Sequence, residues 1–200
     1  MRRTAATALA GSGAAAVAVL AALAGPSQAS PRVGDWSADL APVNHSGSGH
    51  VDLHQHGTEL TVDLSALGLD DGIHLAHIHG IRQAEAECPS LAADAPPAGD
   101  GNGLVDIGEG LASYGPVLRT LSNGTNDRGT ALDWQRMFKH LDNGDGIASL
   151  GDLDQYAIVV HGVDVDGDGL ATNPDALGNG AGNADNEVSM PALCGVIVAH

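Results

Sequence analysis

Positive charge is scarce in this 200-residue chain: 8 Lys and Arg stand against 25 Asp and Glu, a formal net charge of −17. So acidic a surface repels phosphate backbones, which excludes nucleic acid and an anionic bilayer as partners held by basic contacts. Aromatic residues are equally few. Two Trp, two Tyr and one Phe (Trp36, Tyr114, Trp134, Phe138, Tyr156) cannot build base-stacking platforms or aromatic ligand cages. Cysteine is limited to Cys88 and Cys194, and neither a CxxC pair, a Ser-His-Asp order nor a phosphate-cradling glycine loop occurs. Glycine is plentiful instead. The 28 Gly and 9 Pro indicate a turn-rich, all-β chain with long loops rather than a helical bundle. At 43% hydrophobic the chain can bury a core, and its length suits one domain.

The N-terminus reads as an export signal. Arg2 and Arg3 precede an Ala/Val/Leu stretch that runs to about Ala24, and Ser27-Gln28-Ala29 has the small-x-small form of a signal peptidase site. Cleavage after Ala29 leaves residues 30–200 as the mature domain, and loss of the two arginines takes the net charge from −17 to −19. The stretch is Ala-rich and broken by Gly and Ser, a poor membrane span, so no stable anchor is expected after cleavage. The expected location is therefore secreted or periplasmic, within the cell envelope. There one Cys88–Cys194 disulfide is the default, the alternatives being two free thiols or a thiolate metal site.

Along the mature chain, Val51 and Leu53, then Leu60, Val62 and Leu64, alternate with polar residues as strands do, with a hairpin turn at His56-Gly57-Thr58-Glu59. Asp70-Asp71-Gly72 makes a further turn into a strand from Ile73 to His79. From Cys88 to about Asp154 the chain is rich in Gly, Asp, Asn and Pro; it reads as a long insertion loop (89–153) whose only helix-like stretch is Thr130 to Leu141. Tyr156 to Val160 and Met190 to Ala199 are strands, separated by a second acidic loop (164–187).

His77-Ile78-His79 is the sharpest local signal. Strand residues two apart share a face, so these imidazoles converge while Ile78 points into the core, an arrangement suited to copper or zinc. His74 has the opposite parity and reads as a supporting histidine. His161 closes an apolar strand just before a loop, placed to complete a site at a sheet edge. The succession Gly72-x-His74-x-x-His77-x-His79, Cys88, Val159-Val160-His161-Gly162 and Cys194-Gly-Val-Ile197 resembles the Cu/Zn superoxide dismutase family over residues 36–88 and 153–199. That resemblance implies an eight-stranded Greek-key β-barrel or flattened sandwich with a metal site outside it. It also implies copper on His77, His79 and His161, His74 behind them, and a Cys88–Cys194 disulfide. Three family features are replaced. Asp94 stands where the bridging histidine would be, the zinc-ligand pattern is missing so no zinc site is expected, and Pro191 stands at the active-site arginine position. His140 is the only histidine between Cys88 and His161, and it and Asp94 are the candidates for a fourth ligand.

Two acidic loops match the calcium-loop pattern. Asp100, Asn102, Asp106 and Glu109 fall at liganding positions, with Ala98 at the first; Asp164, Asp166, Asp168 and Asp175 match again. Hard carboxylate oxygens around a glycine turn suit Ca²⁺, and the competing reading is a plain Asp/Asn/Gly turn. His50, Asp52, His54 and His56 form a polar stripe of one strand parity. Asn44-His-Ser46 and Asn123-Gly-Thr125 are glycosylation sequons. Two functions follow as expectations. One is a secreted copper protein disproportionating superoxide; the other is a non-catalytic, chordin-repeat-like β-barrel that binds calcium or copper for structure or metal buffering.

Overall fold

The computed structural model describes residues 33–44, 46–80, 87–124, 126–139, 150, 152–172 and 186–200. The expected signal peptide lies outside them. Among the described residues no helix is long and apolar enough to cross a membrane.

The first three strands, β1 (Val33–Pro42), β2 (Ser48–His56) and β3 (Glu59–Leu67), form antiparallel ribbons. His56 pairs with Glu59 across a two-residue turn at Gly57-Thr58, where Gly57 takes a φ of 66° that a side chain would resist. Their alternation buries one face. Ala38, Val51 and Leu64 stand opposite one another in adjacent strands, all at most 2% exposed. A slip of one residue would turn this whole set to water, so the hydrophobic pattern fixes the register.

The sheet continues through β4 (Ala76–His79), β5 (Val117–Thr120), β6 (Ala131–Lys139), β7 (Ala157–His161) and β8 (Pro191–Val196), in the order β5-β4-β7-β8-β1-β2-β3-β6, while the short β9 (Val198–Ala199) pairs with β1. It is an antiparallel, curled half-barrel whose concave side holds the main core. The two end strands approach through side chains. The Arg119 guanidinium lies 5.3 Å from the Phe138 ring, and Arg136 donates to Leu121 O at 2.9 Å with Asp127 Oδ1 2.8 Å away.

The stretch expected as helix-like, Thr130 to Leu141, corrects the sequence reading: its residues 131–139 form strand β6, and residues 140 and 141 lie outside the described residues. Leu132 and Trp134 are buried with the core, and Trp134 sits opposite Leu64. This two-residue periodicity covers the edge of β3 along its length, and the pairing outweighs local helix preference. Among the described residues the helix of this segment is α1 (Ile107–Tyr114) instead, started by a reciprocal pair in which Asp106 accepts from Glu109 N and Glu109 accepts from Asp106 N. The stretch expected as an insertion loop thus contributes a helix and two of the sheet's strands.

A second, smaller cluster lies on the convex face. Tyr114 packs there with Ala157, Val159 and Cys194, flanked by Val43 and Cys88. Cys88 and Cys194 are disulfide-bonded, which ties the start of the 88–150 segment to β8 in the middle of the sheet. Asn44 is committed to this assembly too. Its side chain donates to Val105 O and Pro191 O and accepts from Val105 N, so it is no free glycosylation acceptor. Replacing it by Ala orphans partly buried backbone groups, and we expect a loss of about 1–3 kcal/mol in chemical denaturation.

Candidate metal centre

Strand β4 builds two corners of the site. Ala76 and Ile78 are fully buried in the main core, so the intervening His77 and His79 stand on the convex face. Strand β7 supplies the third corner. The register slips between Val160 and His161 on the β8 side, and between Ile78 and His79 on the β5 side, so a bulge lies beside two of the three histidines. Such bulges re-aim side chains.

The three rings form a near-equilateral triangle, with centroids 5.6 Å (His77–His79), 5.1 Å (His77–His161) and 5.4 Å (His79–His161) apart. Each can offer a nitrogen within 4.8 Å of the others, and the group could hold a metal ion. Hydrogen bonds decide which nitrogens are free. His79 Nδ1 lies 2.8 Å from Gly115 O and His161 Nδ1 lies 2.5 Å from Ser189 O. A carbonyl oxygen only accepts, so both Nδ1 atoms carry the proton and both Nε2 atoms are bare. Those two bare nitrogens face each other at 3.3 Å. His77 Nδ1 is buried with no partner at all.

Two lone pairs so close, beside a third unpartnered nitrogen, call for a shared cation. A proton is disfavoured: burial pushes His77 and His79 down to about 4, and burial with the neighbouring histidines holds His161 well below its ordinary value. A metal ion fits. With metal–nitrogen bonds of about 2.0–2.1 Å, a 3.3 Å separation subtends about 105–110° at the ion, close to tetrahedral.

The surroundings fix this geometry. His74, fully buried, places Nδ1 3.1 Å from His161 O and Nε2 2.8 and 2.9 Å from Asp70 O and Gly129 O, tying three backbone segments together behind the three histidines. Gly162 is required beside it, since a Cβ there would meet His74 Nδ1 and Ile73 O, both at 2.4 Å. Tyr114 lies edge-on to His79, ring centroids 4.7 Å apart, and α1 ends at Gly115, the residue whose carbonyl orients His79. Pro191 pairs with His161 just past the register slip. The position where the resemblance calls for a guanidinium is thus an uncharged ring beside His161.

Asp94 does not join the histidines. It groups with Asp100 and Glu109, a second set able to hold a cation. Asp94 Oδ1 accepts from Gly101 N and Asn102 N at 2.9 and 3.0 Å, and Oδ2 from Gly103 N at 3.0 Å. It takes the place in space of the first liganding residue, where the sequence has Ala98. Asp106 belongs to the cap of α1 rather than to this group, and Asn102 turns its own oxygen to Leu104 N. Asp164, Asp166 and Asp168 form a third group, their loop closed by Asp164 accepting from Gly167 N and Gly169 N, both at 2.8 Å. Asp175 and His140 lie outside the described residues.

The polar stripe on β2 is paired with β1. His50 sits between Asp39 (2.7 Å) and Asp52 (3.3 Å), and His54 lies 2.8 Å from Asp35. Those carboxylates raise both imidazoles above their ordinary value, and the stripe does not gather into a metal-holding group among the described residues.

No family model and no curated protein matched the sequence. The functional reading therefore stands on the site itself.

Proposed function

We propose that this is a secreted copper protein of the Cu/Zn superoxide dismutase type of Greek-key fold, lacking the zinc site, that disproportionates superoxide. The observation that supports it most is the meeting of three imidazoles: His77 Nδ1 without a partner, and the bare Nε2 atoms of His79 and His161 face to face at 3.3 Å. Imidazole suits both copper and zinc, but a zinc ion has no redox chemistry, whereas bound copper supplies a one-electron couple. Two superoxide anions and two protons then give O₂ and H₂O₂. The chain's part is to hold three neutral imidazoles together, His79 and His161 in fixed tautomers, on a sheet tied by the disulfide. An Asp94 engaged with backbone amides leaves the centre without the bridging ligand that a paired zinc would share.

The net charge of −17 opposes approach of an anion, and Pro191 offers no attraction in compensation. Copper-loaded protein is therefore expected to turn superoxide over at a rate that rises with ionic strength from about 10 to 150 mM, as screening weakens the repulsion. Pulse-radiolysis or stopped-flow decay measures this. Absence of turnover above a His161→Ala control sinks the enzymatic reading; a rate that falls with salt shows that a local positive guide dominates.

A second reading, a calcium-stabilised non-catalytic β-barrel, is favoured by Asp94 standing in for Ala98 beside Asp100 and Glu109. At the 10⁻⁴–10⁻³ M affinities of extracellular modules, 10 mM Ca²⁺ stabilises by about 1.4–2.7 kcal/mol. Differential scanning calorimetry should show a corresponding rise in melting temperature over EDTA that Asp94→Asn removes. An identical transition in calcium and EDTA excludes it.

A further inference from the structure

Glu187 opens a single-turn 3-10 helix (Glu187–Ser189) capped by Asn186, whose side chain accepts from Val188 N. Its own side chain is wholly buried. A buried carboxylate is costly to desolvate unless hydrogen bonds replace its water. Here backbone amides of the loop after His161 do so. Oε1 accepts from Val165 N at 2.9 Å and Asp166 N at 3.2 Å, and Oε2 accepts from Thr172 N at 2.9 Å. The backbone of the same turn runs alongside the end of β7: Val163 N donates to Glu187 O at 3.0 Å, Gly162 N to Met190 O at 2.9 Å, and His161 Nδ1 to Ser189 O.

The clamped loop is itself bound to the turn that leads into β4, through Ala171 N to Asp71 O (2.7 Å) and Ile73 N to Ala171 O (3.3 Å). One carboxylate thus joins the turn that orients His161 to the loop that braces the approach to His77 and His79. Nothing in its local sequence, Asn186-Glu187-Val188, marks it for that role.

We propose that Glu187 is the positioning residue of the histidine centre, fixing Ser189 O so that His161 keeps its proton on Nδ1 and turns a bare Nε2 toward His79. The inference rests on reading these histidines as a metal centre, and its test separates the two. Long-range ¹H–¹⁵N spectra of metal-free protein report each imidazole tautomer without metal, and competition titration with Cu²⁺ reports affinity. Wild-type His161 should show a protonated Nδ1 and a bare Nε2. Glu187→Ala should average the two nitrogens and weaken copper binding about 10–100-fold, the usual effect of losing a partner that orients a ligand. Glu187→Gln keeps one acceptor oxygen for Val165 and Asp166; it should restore most of the tautomer preference and lose less affinity than Glu187→Ala.

Val62→Ala, a core truncation on β3, controls for general destabilisation and should leave the His161 signals unchanged. The proposal is overturned if Glu187→Ala leaves tautomer and affinity at wild-type values, or if Val62→Ala shifts them as much. A wild type that takes up no copper, while Glu187→Ala still scrambles the His161 tautomer, upholds the positioning role and removes the metal.

Discussion

Loss of the Cys88–Cys194 bond should cost about 5 kcal/mol of folding free energy. The two cysteines lie 106 positions apart, and closing a loop of that length removes about 16 cal/mol/K from the unfolded chain in the entropy model. For a chain of this size that is a fall in melting temperature of roughly 10–20 °C. The consequence reaches the site. Cys88 packs with Tyr114 on the convex face, Tyr114 touches His79, and the next residue supplies the carbonyl that orients it. Thermal unfolding of Cys88→Ala/Cys194→Ala beside wild type measures the effect. A shift of only a degree or two would show that the short cluster around Tyr114 holds the 88–150 segment without the covalent link.

Acid should destabilise the metal-free protein strongly between pH 6.5 and pH 4. Burial lowers His77 and His79 to about 4 in the folded state against 6.5 when unfolded, and His161 moves the same way. The unfolded chain therefore binds protons first as pH falls. Stability is full above about 6.5 and declines until the folded-state values are reached, by at most about 3 kcal/mol for each of the two histidines at about 4. His50 and His54 have the opposite sign, their pKa values being raised; their contribution is present below 6.5 and fades above it, and exposure to solvent keeps it small. Denaturant unfolding of metal-free protein at pH 7.5 and 4.5 should differ by several kcal/mol. His77→Ala/His79→Ala should flatten the dependence, and an unchanged slope in that variant would place the titrating groups elsewhere.

The strands that face one core from one side were legible in the sequence. Leu60, Val62 and Leu64 alternate cleanly, and Gly57 marks the turn before them. The histidine trio was legible for the same reason, because the parity of His77 and His79 against Ile78 is a property of strand geometry. The stretch from Thr130 to Leu141 reads as helix-like because its aliphatic and long polar residues also suit a helix, and over residues 131–139 pairing with the edge of β3 selects the strand. The cap of α1 was written in Asp106 and Glu109, but the same residues fit a cation loop, and Gly108 and Gly110 weaken the helical pattern. Asp94 and Glu187 act through backbone amides distant from them in the chain, so no local spacing announces them. Nor does any side chain announce the carbonyls of Gly115 and Ser189, which set the tautomers of His79 and His161.

The central claim is that three imidazoles share one metal ion, and a Cu²⁺ titration of metal-free protein followed by electron paramagnetic resonance tests it most directly. One tightly bound ion per chain should appear, with a hyperfine pattern from nitrogen ligands, and it should disappear in His77→Ala/His161→Ala while the disulfide-bonded fold persists. A titration in which the double variant binds copper with the same stoichiometry and nitrogen couplings would contradict it.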